Sequence, residues 1–296
     1  MAGKVLDIRA ISASSTPAPG IRSTPVVAKL IDTSACIGCK ACEVACQQWN
    51  DLAPATTVQV GTYQTMPETT PDFWNLIKFN EHETDEGGFQ WLLRKDQCMH
   101  CAEPGCLKAC PAPGAIVQYE NGIVDFQQEN CIGCGYCIAG CPFNIPRMSK
   151  KTKKVYKCTL CVDRVSVGLE PACIKACPTN CLTFGDKDVL LEKAEKRVKQ
   201  LKLAGFMDAG IYNPPGVGGT GVVSVLAFAS KPEAYGLPKE PRIPILVELW
   251  KSPLKWIGNF AIVAGIIGTF VHYLRFGPKH VPEEAQVQAK PAGAGN

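Results

Sequence analysis

The sequence predicts an α+β fold in which two small, loop-rich units are nested, one inside the other, and are followed by one membrane-spanning helix. Three observations predict it. Sixteen of the 17 cysteines stand in four compact groups of four. Two pairs of apolar runs are separated by polar turns that contain glycine, a pattern typical of β-hairpins. Residues 256–274 form an apolar run without a charge.

The third cysteine group has the most specific pattern. It reads Cys131-Ile-Gly-Cys-Gly-Tyr-Cys-Ile-Ala-Gly-Cys-Pro142, the C-x2-C-x2-C-x3-C-P run whose thiolates hold [4Fe–4S] clusters in bacterial ferredoxins. The short spacings let one loop bring three sulfurs to one cluster, while the fourth cysteine reaches a second cluster. Pro142 suits the first position of a helix, where the N–H group that it lacks would have no partner.

The pattern recurs in the other three groups. The first group keeps the same spacing but has Gln47 in place of the proline, whereas the second and fourth groups have a wider middle gap and keep Pro111 and Pro178. These groups are Cys36, Cys39, Cys42 and Cys46; Cys98, Cys101, Cys106 and Cys110; and Cys158, Cys161, Cys173 and Cys177. Four groups of four predict four [4Fe–4S] clusters and leave Cys181 as a structural or unligated cysteine.

Two other uses of cysteine are alternatives to clusters. A disulfide framework suits a small secreted domain, but this chain is long and we expect no secretory signal in it. Zinc is the stronger alternative, because the fourth group read alone resembles a four-cysteine zinc site. Zinc sites, however, usually consist of two separated C-x2-C pairs, so compact triplets followed by a fourth cysteine favour iron–sulfur clusters.

The segment between the second and third groups decides the predicted pairing. Residues 115–126 alternate apolar and polar residues around Asn121-Gly122, which predicts a hairpin. A hairpin between two cysteine groups is the arrangement of a two-cluster ferredoxin. The second and third groups therefore form one ferredoxin-like unit, nested inside a unit formed by the first and fourth. The alternative pairs the first group with the second, across a linker of residues 47–91 that is long for such a unit.

Crossed ligation then assigns each fourth cysteine to the partner group's cluster. The predicted cofactor-binding cysteines, which are also the iron ligands, form four sets: Cys36, Cys39, Cys42 and Cys177; Cys98, Cys101, Cys106 and Cys141; Cys131, Cys134, Cys137 and Cys110; and Cys158, Cys161, Cys173 and Cys46.

The remaining sequence predicts the boundaries of the domains. Residues 1–25 read as an extended arm without a signal peptide or a twin-arginine pair. A strand at Val26–Ile31, a hairpin within 73–93 and a helix from an Asp186 N-cap to about Leu203 complete the outer unit. The predicted divisions are 1–25 for the arm, 26–91 with 158–205 for the outer unit, 92–157 for the inner unit, 206–252 for a connecting segment, 253–276 for a transmembrane helix and 277–296 for a disordered tail.

The apolar run Trp256–Leu274 predicts the transmembrane helix. As a helix its 19 residues span about 29 Å, close to the thickness of the hydrocarbon layer. A buried core helix is the alternative, but the centre of the run offers no polar face. Basic residues flank both ends, so charge does not decide the orientation. His272, the one histidine in the run, is a candidate to face a partner's haem or a quinone, but packing or solvation at the membrane interface is favoured.

Several other features carry less information about function. The net charge of +4 does not indicate a nucleic-acid partner. His100 reads as a loop residue, and the tryptophans at 49, 74 and 91 as packing residues. The basic stretch from Arg147 to Arg164 either supports reduced clusters electrostatically or is a solvated loop. The glycines in 212–219 match no nucleotide-binding motif.

With the cysteine groups and the C-terminal run together, the chain resembles the β subunit of membrane-bound respiratory formate dehydrogenases. The resemblance extends from about Val27 to Pro278 and is most specific in three stretches: Asn130–Pro146, Tyr156–Val165 and Tyr212–Thr220. The first two stretches are similar throughout the wider family of four-cluster subunits. The third stretch and the single terminal span look like the formate dehydrogenase branch. Relatives in nitrate reductases replace one cluster cysteine with tryptophan, whereas all sixteen are cysteine here.

This resemblance implies a role in anaerobic respiration. A molybdenum or tungsten pterin subunit oxidises formate, and the four-cluster subunit passes electrons to a cytochrome b subunit that reduces quinone. It also implies attachment to the cytoplasmic membrane, with the cluster domain on the periplasmic side after export with a partner. No nucleophile, base or paired-carboxylate motif is evident, so we expect an electron-transfer subunit without catalytic residues. Equivalent subunits of hydrogenases and of sulfoxide or sulfur-compound reductases are the alternative.

Overall fold

A computed structural model describes residues 25–54, 57, 59, 61–83, 87–249 and 254–277. All but the last residue of the predicted arm, 1–25, and all but the first residue of the predicted tail, 277–296, lie outside the described residues. The chain divides into two units, Met1–Glu248 and Leu249–Asn296. Each unit is described by itself.

The described residues form ten strands, and eight α-helices of which the last two lie near the C-terminal end. The strands are β1 Val27–Asp32, β2 Leu76–Glu83, β3 Phe89–Asp96, β4 Ile116–Gln118, β5 Val124–Phe126, β6 Arg147–Met148, β7 Val155–Tyr156, β8 Leu182–Asp186, β9 Gly210–Tyr212 and β10 Val222–Leu226. The helices are α1 Ala41–Trp49, α2 Gly105–Ala109, α3 Tyr136–Ala139, α4 Val162–Ser166, α5 Ala172–Lys175, α6 Lys187–Leu203, α7 Ile245–Leu249 and α8 Lys255–Phe276. The predicted α+β class is confirmed.

A four-stranded sheet with the order β8-β1-β10-β9 supports the first unit. β1 pairs parallel with β10, and the two outer pairs are antiparallel. Because side chains alternate along a strand, Leu30 and Val223 pack on one face against α6, while Ile31 and Val222 pack on the other face against cysteine-bearing loops. Residues 206–252, predicted as a connection, thus contribute β9 and β10 to the sheet that contains β1.

Three short hairpins hold the remaining strands. The predicted hairpin in 73–93 forms from β2 and β3, although its first strand begins at Leu76 because Thr70 and Phe73 form a small bridge of their own. The hairpin in 115–126 forms from β4 and β5, and Gly122 in its turn has a φ of +91°. A third hairpin, β6 with β7, was not predicted.

Helix α6 begins and ends at the residues that the sequence predicts. The Asp186 carboxylate caps its first turn by accepting a hydrogen bond from the N–H group of Asp188 at 3.0 Å. Gly205, which has a φ of +98°, follows its last turn and allows Phe206 N to donate to the carbonyl of Leu201. The buried stripe includes Leu190, Ala194 and Leu201, which cover the sheet.

Two helix contacts reflect the nested arrangement. Helix α1, from the first cysteine group, packs on α5 from the fourth group, and α2 from the second group packs on α3 from the third. The second contact depends on glycine, because a Cβ atom at Gly105 would lie 2.3 Å from the carbonyl oxygen of Gly140. The predicted fold of two nested ferredoxin-like units is therefore confirmed.

The second unit contains helix α8, Lys255–Phe276, which is long and apolar enough to cross a membrane. An 18-residue window of this helix has a mean hydropathy of 1.6, and the apolar side chains of the helix are exposed along its whole length. The alternative of a buried core helix would require those side chains to be covered by the protein. The helix therefore agrees with the predicted transmembrane segment.

Candidate metal centres

Four cavities in the first unit are each lined by four of the predicted cysteines. We number them along the molecule. Cavity 1 is lined by Cys36, Cys39, Cys42 and Cys177. Cavity 2 is lined by Cys46, Cys158, Cys161 and Cys173. Cavity 3 is lined by Cys98, Cys101, Cys106 and Cys141. Cavity 4 is lined by Cys110, Cys131, Cys134 and Cys137.

Each cavity combines three cysteines of one group with the fourth cysteine of the paired group. This is the crossed arrangement that the sequence predicts, and all sixteen cysteines are brought to a cavity. Cys181 also lines cavity 1, which therefore has a fifth thiol. None of the 17 cysteines is in a disulfide.

The same local backbone geometry recurs in all four C-x2-C loops. The residue before the second cysteine has a left-handed φ, which turns the loop tightly around its cavity. These residues are Gly38 at +68°, His100 at +46°, Gly133 at +71° and Leu160 at +55°. In two of the loops this turn aims an N–H group at the first sulfur: His100 N lies 3.4 Å from Cys98 Sγ, and Leu160 N lies 3.4 Å from Cys158 Sγ. Such bonds stabilise negative charge on sulfur.

The four cavities are linked in sequence through neighbouring cysteines. Cys42 of cavity 1 and Cys173 of cavity 2 belong to one hydrophobic cluster. Cys158 of cavity 2 packs with Cys98 of cavity 3. Cys106 of cavity 3 belongs to the same cluster as Cys110 and Cys137 of cavity 4. These neighbours connect cavity 1 with cavity 2, cavity 2 with cavity 3 and cavity 3 with cavity 4 in a row.

Both ends of this row reach the surface. Cys39 in cavity 1 and Cys134 in cavity 4 are the two exposed cysteines, whereas every cysteine of cavities 2 and 3 is buried or half-buried. Ile37 and Ile132, beside these end cysteines, are also exposed.

Buried lysines border three of the cavities. Lys29 on β1 lines cavity 2 and donates to Cys173 Sγ at 3.1 Å and to Gln97 Oε1 at 3.0 Å. Lys95 at the end of β3 lines cavity 1, and Lys157 lines cavity 3 and donates to backbone carbonyls. All three are less than 5% exposed. A buried ammonium is costly unless negative charge lies close to it, so these residues predict anionic occupants.

The pKa shifts follow from burial and from these ammonium groups. Burial raises the pKa of Cys98 to about 11 and that of Cys161 to about 12. Burial also raises the pKa of Cys173, but Lys29 and Lys95 bring it below its ordinary value. For Lys95, burial lowers the pKa, and the surrounding sulfurs, Cys42 foremost, hold it above its usual value. Positive charge thus favours the thiolate of Cys173, whereas burial raises the pKa of Cys42 and of Cys46 in spite of Lys95.

Two buried donors that border the cavities have no partner in the described protein. Lys95 Nζ at cavity 1 makes no hydrogen bond. His100 Nδ1 accepts from Val124 N at 3.1 Å, so its proton is on Nε2, which has no partner at cavity 3. Burial and then Lys157 lower the pKa of His100 well below its usual value, which keeps the ring neutral. Four thiols and an unpartnered donor fit a sulfur-rich, anionic cluster.

The arrangement argues against single zinc ions. Among the described residues, no group of three His, Cys, Asp or Glu side chains is arranged to hold one metal ion. Four cysteines nevertheless surround each cavity, which suits a larger group with several metal atoms rather than one tetrahedral ion.

The structure refines several predictions about individual residues. His100 has no regular secondary structure, as predicted, but it is buried beside cavity 3 rather than solvated. Trp49 is half exposed and stacks on the Arg164 guanidinium at 4.1 Å from its ring centroid. The residues of the basic stretch have different environments. Lys157 is buried at a cavity, whereas Lys150, Lys151 and Lys153 are exposed to solvent.

Sequence reasoning did not identify Lys29 and Lys95. Lys29 stands between apolar residues of β1 and, by alternation, shares a face with Ile31 that is directed to the cavities. The sequence signal that could have identified Lys29 is a charged residue on the inward face of a strand.

Comparisons with known proteins agree with this architecture. The family model described as "4Fe-4S dicluster domain" matches residues 89–187, and a second model with that description matches 35–115. A third model, "Formate dehydrogenase N, transmembrane", matches residues 243–286. The two cluster matches overlap, so the pairing of the cysteine groups rests on the contacts described above.

Curated relatives match nearly the whole chain. The nitrate-inducible formate dehydrogenase iron–sulfur subunit of Escherichia coli is 54% identical over 291 residues, which cover 97% of this chain and 99% of the relative. The formate dehydrogenase iron–sulfur subunit of Haemophilus influenzae is 55% identical over 95% of this chain and 91% of its own length. The chain belongs to the formate dehydrogenase iron–sulfur subunit family.

A further relative is the formate dehydrogenase-O iron–sulfur subunit of Escherichia coli, 51% identical over 91% of this chain and 90% of its own length. As a formate dehydrogenase iron–sulfur subunit, the chain is an electron-transfer subunit and not the catalytic one. It binds iron–sulfur clusters of the 4Fe-4S type. Helix α8 lies within the matched transmembrane region and makes the chain a single-pass membrane protein.

Proposed function

We propose that this subunit carries four [4Fe–4S] clusters, one in each cavity, and relays electrons between two partner subunits. The donor is a molybdenum or tungsten pterin subunit that oxidises formate, and the acceptor is a cytochrome b subunit that reduces quinone in the membrane. The four predicted cysteines at each cavity are the ligands of its cluster, and Cys181 is an additional cysteine at cavity 1. When bound, each cluster accepts and releases one electron at a time.

The observation that carries this proposal is the row of four cavities with exposed cysteines at its two ends. A relay needs an entry and an exit that partners can reach, and Cys39 and Cys134 supply them. The cysteines of the inner cavities, 2 and 3, are all buried or half-buried. Cysteines of neighbouring cavities belong to the same hydrophobic clusters, which favours electron transfer between neighbours.

The protein's own residues hold, shield and tune the bound groups. The left-handed C-x2-C loops wrap the cavities and direct backbone N–H groups to sulfur. The apolar side chains of Ile31 on β1 and Leu182 on β8 line cavity 1 and shield that side of it from water. Lys29, Lys95 and Lys157 supply positive charge, which stabilises the extra electron on a reduced cluster. These roles require no proton transfer or nucleophile.

Apolar α8 supports a place in the cytoplasmic membrane, and we propose that the cluster unit lies on its periplasmic side. The resemblance described above implies this side, with export on a partner that carries the twin-arginine signal. We also propose the division into an outer unit of 26–91 with 158–205 and an inner unit of 92–157.

Electron paramagnetic resonance of the detergent-extracted complex tests this function. Formate added without oxygen should produce low-temperature signals from interacting reduced [4Fe–4S] centres, with 16 irons per chain by analysis, as four such clusters require. Reduction by dithionite but not by formate would assign the relay to another enzyme, such as a hydrogenase or a sulfoxide reductase. Bound zinc without the visible absorbance of iron–sulfur clusters would overturn the proposed electron relay.

The ligand sets are tested separately. Replacing Cys134 with alanine should remove the cluster of cavity 4 and its four irons, and it could impair assembly because ligation is coupled to folding. A Cys134→Ala subunit that keeps all four clusters would refute that assignment.

A further inference from the structure

Cavity 1 differs from the other three in having five cysteines. Cys181 lines it together with the four predicted ligands. Among the described residues, cavities 2, 3 and 4 are each lined by four cysteines. One cluster needs four thiolates, so one thiol of cavity 1 is in excess.

The position of Cys181 places its sulfur beside two of the ligands. Its Sγ lies 3.5 Å from Cys177 Sγ, and Cys36 lines the same cavity. Only 6% of the residue is exposed. The sulfur is therefore held inside the cavity, at the same corner as Cys177.

The backbone accounts for this proximity. After Cys177 the chain turns through Asn180, which has a left-handed φ of +53°. Cys181 then enters β8, where its carbonyl accepts a hydrogen bond from the N–H group of Asp32 at 2.8 Å. This bond to the sheet fixes the Cys181 backbone independently of the Cys177 side chain.

A second observation indicates an anionic occupant at the same place. Lys95 lines cavity 1, is 4% exposed and has an Nζ without a hydrogen-bond partner. A buried ammonium that no protein group satisfies requires negative charge in the cavity.

We propose that Cys181 is a reserve ligand of the cluster in cavity 1, able to replace Cys177. The proposal rests on the proposed function, because it assumes the cluster and its ligand set. In the exchange, the bond between the iron and the Cys177 sulfur would break as the Cys181 sulfur binds that iron, and the Cys181 proton would pass to the released Cys177 sulfur, 3.5 Å away. The coordination number and the oxidation state of that iron do not change, so no oxidant or reductant is needed.

The matched control is Cys46, which occupies in cavity 2 the position that Cys177 occupies in cavity 1. Cys46 and Cys177 are each the fourth cysteine of their group, and each lines the cavity of the partner group. Among the described residues, no fifth cysteine lines cavity 2. A comparison of the two therefore isolates the contribution of Cys181.

The experiment measures iron, sulfide and dithionite-reduced EPR signals in the purified full complex carrying C177A, C181A, C177A/C181A or C46A. We expect C181A and C177A to keep the full iron content, with an altered signal from one cluster in C177A. We expect C177A/C181A and C46A each to lose one quarter of the iron.

The outcomes separate this inference from the ligand assignment. Loss of one quarter of the iron in C177A, as in C46A, would overturn the role of Cys181 and leave the four-cluster relay intact. Failure of C177A to accumulate in membranes would overturn it as well, because a reserve ligand should preserve assembly. Full iron in C46A would instead refute the ligand sets on which the proposal rests.

Discussion

Lys29 Nζ lies 3.1 Å from Cys173 Sγ, and both side chains are buried. The two residues are 144 positions apart in the chain, on β1 and α5. Lys29 thus joins the central sheet to a wall of cavity 2. An ammonium at hydrogen-bond distance from a cysteine sulfur stabilises each negative charge that the cavity acquires.

Replacing Lys29 with methionine should lower the midpoint potential of the cluster in cavity 2. The reduced cluster has one more negative charge, so loss of the ammonium destabilises it more than the oxidised form. We expect a shift of at least about 59 mV, a tenfold change for a one-electron couple. A potentiometric titration, monitored by EPR at each potential, measures the shift in midpoint potential. K193M, at an exposed position on α6, is the control, and equal midpoints in the two variants would contradict the assigned role.

Replacing Gly133 with alanine should remove the cluster of cavity 4. Its φ is +71°, and a Cβ atom there would lie 2.2 Å from the carbonyl oxygen of Lys153. The loop between Cys131 and Cys134 would therefore have to move. Gly168 is the matched control, since its φ is +79° but nothing lies within 4 Å. Its alanine variant has only the backbone strain, about 1–2 kcal/mol. Iron analysis should show one cluster fewer in G133A than in G168A. Equal iron content in G133A and G168A would contradict the prediction, because the loop would then accommodate the added methyl group without loss of the cluster.

Replacing Asp186 with alanine should destabilise α6 without affecting the clusters directly. The variant loses the N-cap bond to Asp188 N, which is worth about 1 kcal/mol. We expect the apparent midpoint of thermal unfolding, at a fixed scan rate, to fall by about 2–4 °C. E195Q, on the exposed face of the same helix, should leave the midpoint unchanged. A midpoint for D186A that matches E195Q would show that the cap is not stabilising.

Deleting residues 250–296 should release the cluster unit from the membrane. Full-length protein should resist extraction with alkaline carbonate, because α8 is buried in lipid, whereas the truncated protein should be recovered in the supernatant. Ile266→Lys tests the same helix in the intact chain, since a lysine at the centre of a span costs about 2.5–3.5 kcal/mol on insertion. Ile266→Leu is its control. Truncated protein that stays in the carbonate-washed membrane would be anchored by a partner instead.

Local spacing was sufficient to predict much of this protein. The distance between cysteines within a group depends on a few backbone angles, so the pattern C-x2-C-x2-C-x3-C-P predicts a loop around a cluster without further information. The same holds for the Asp186 cap, for the hairpin turn at Asn121-Gly122 and for α8. In each case the deciding residues lie within one element of secondary structure.

Only the tertiary structure decided which distant groups meet. It brings Lys29 and Lys95 to the sulfurs, pairs β1 with β10 across almost two hundred residues, and places Cys181 beside Cys36 and Cys177. From its spacing alone, Cys181 was a cysteine without a role. These contacts depend on how strands and helices pack, and packing joins residues that no local pattern connects. Sequence therefore predicted the ligands, and the fold determined the charges and the fifth thiol around them.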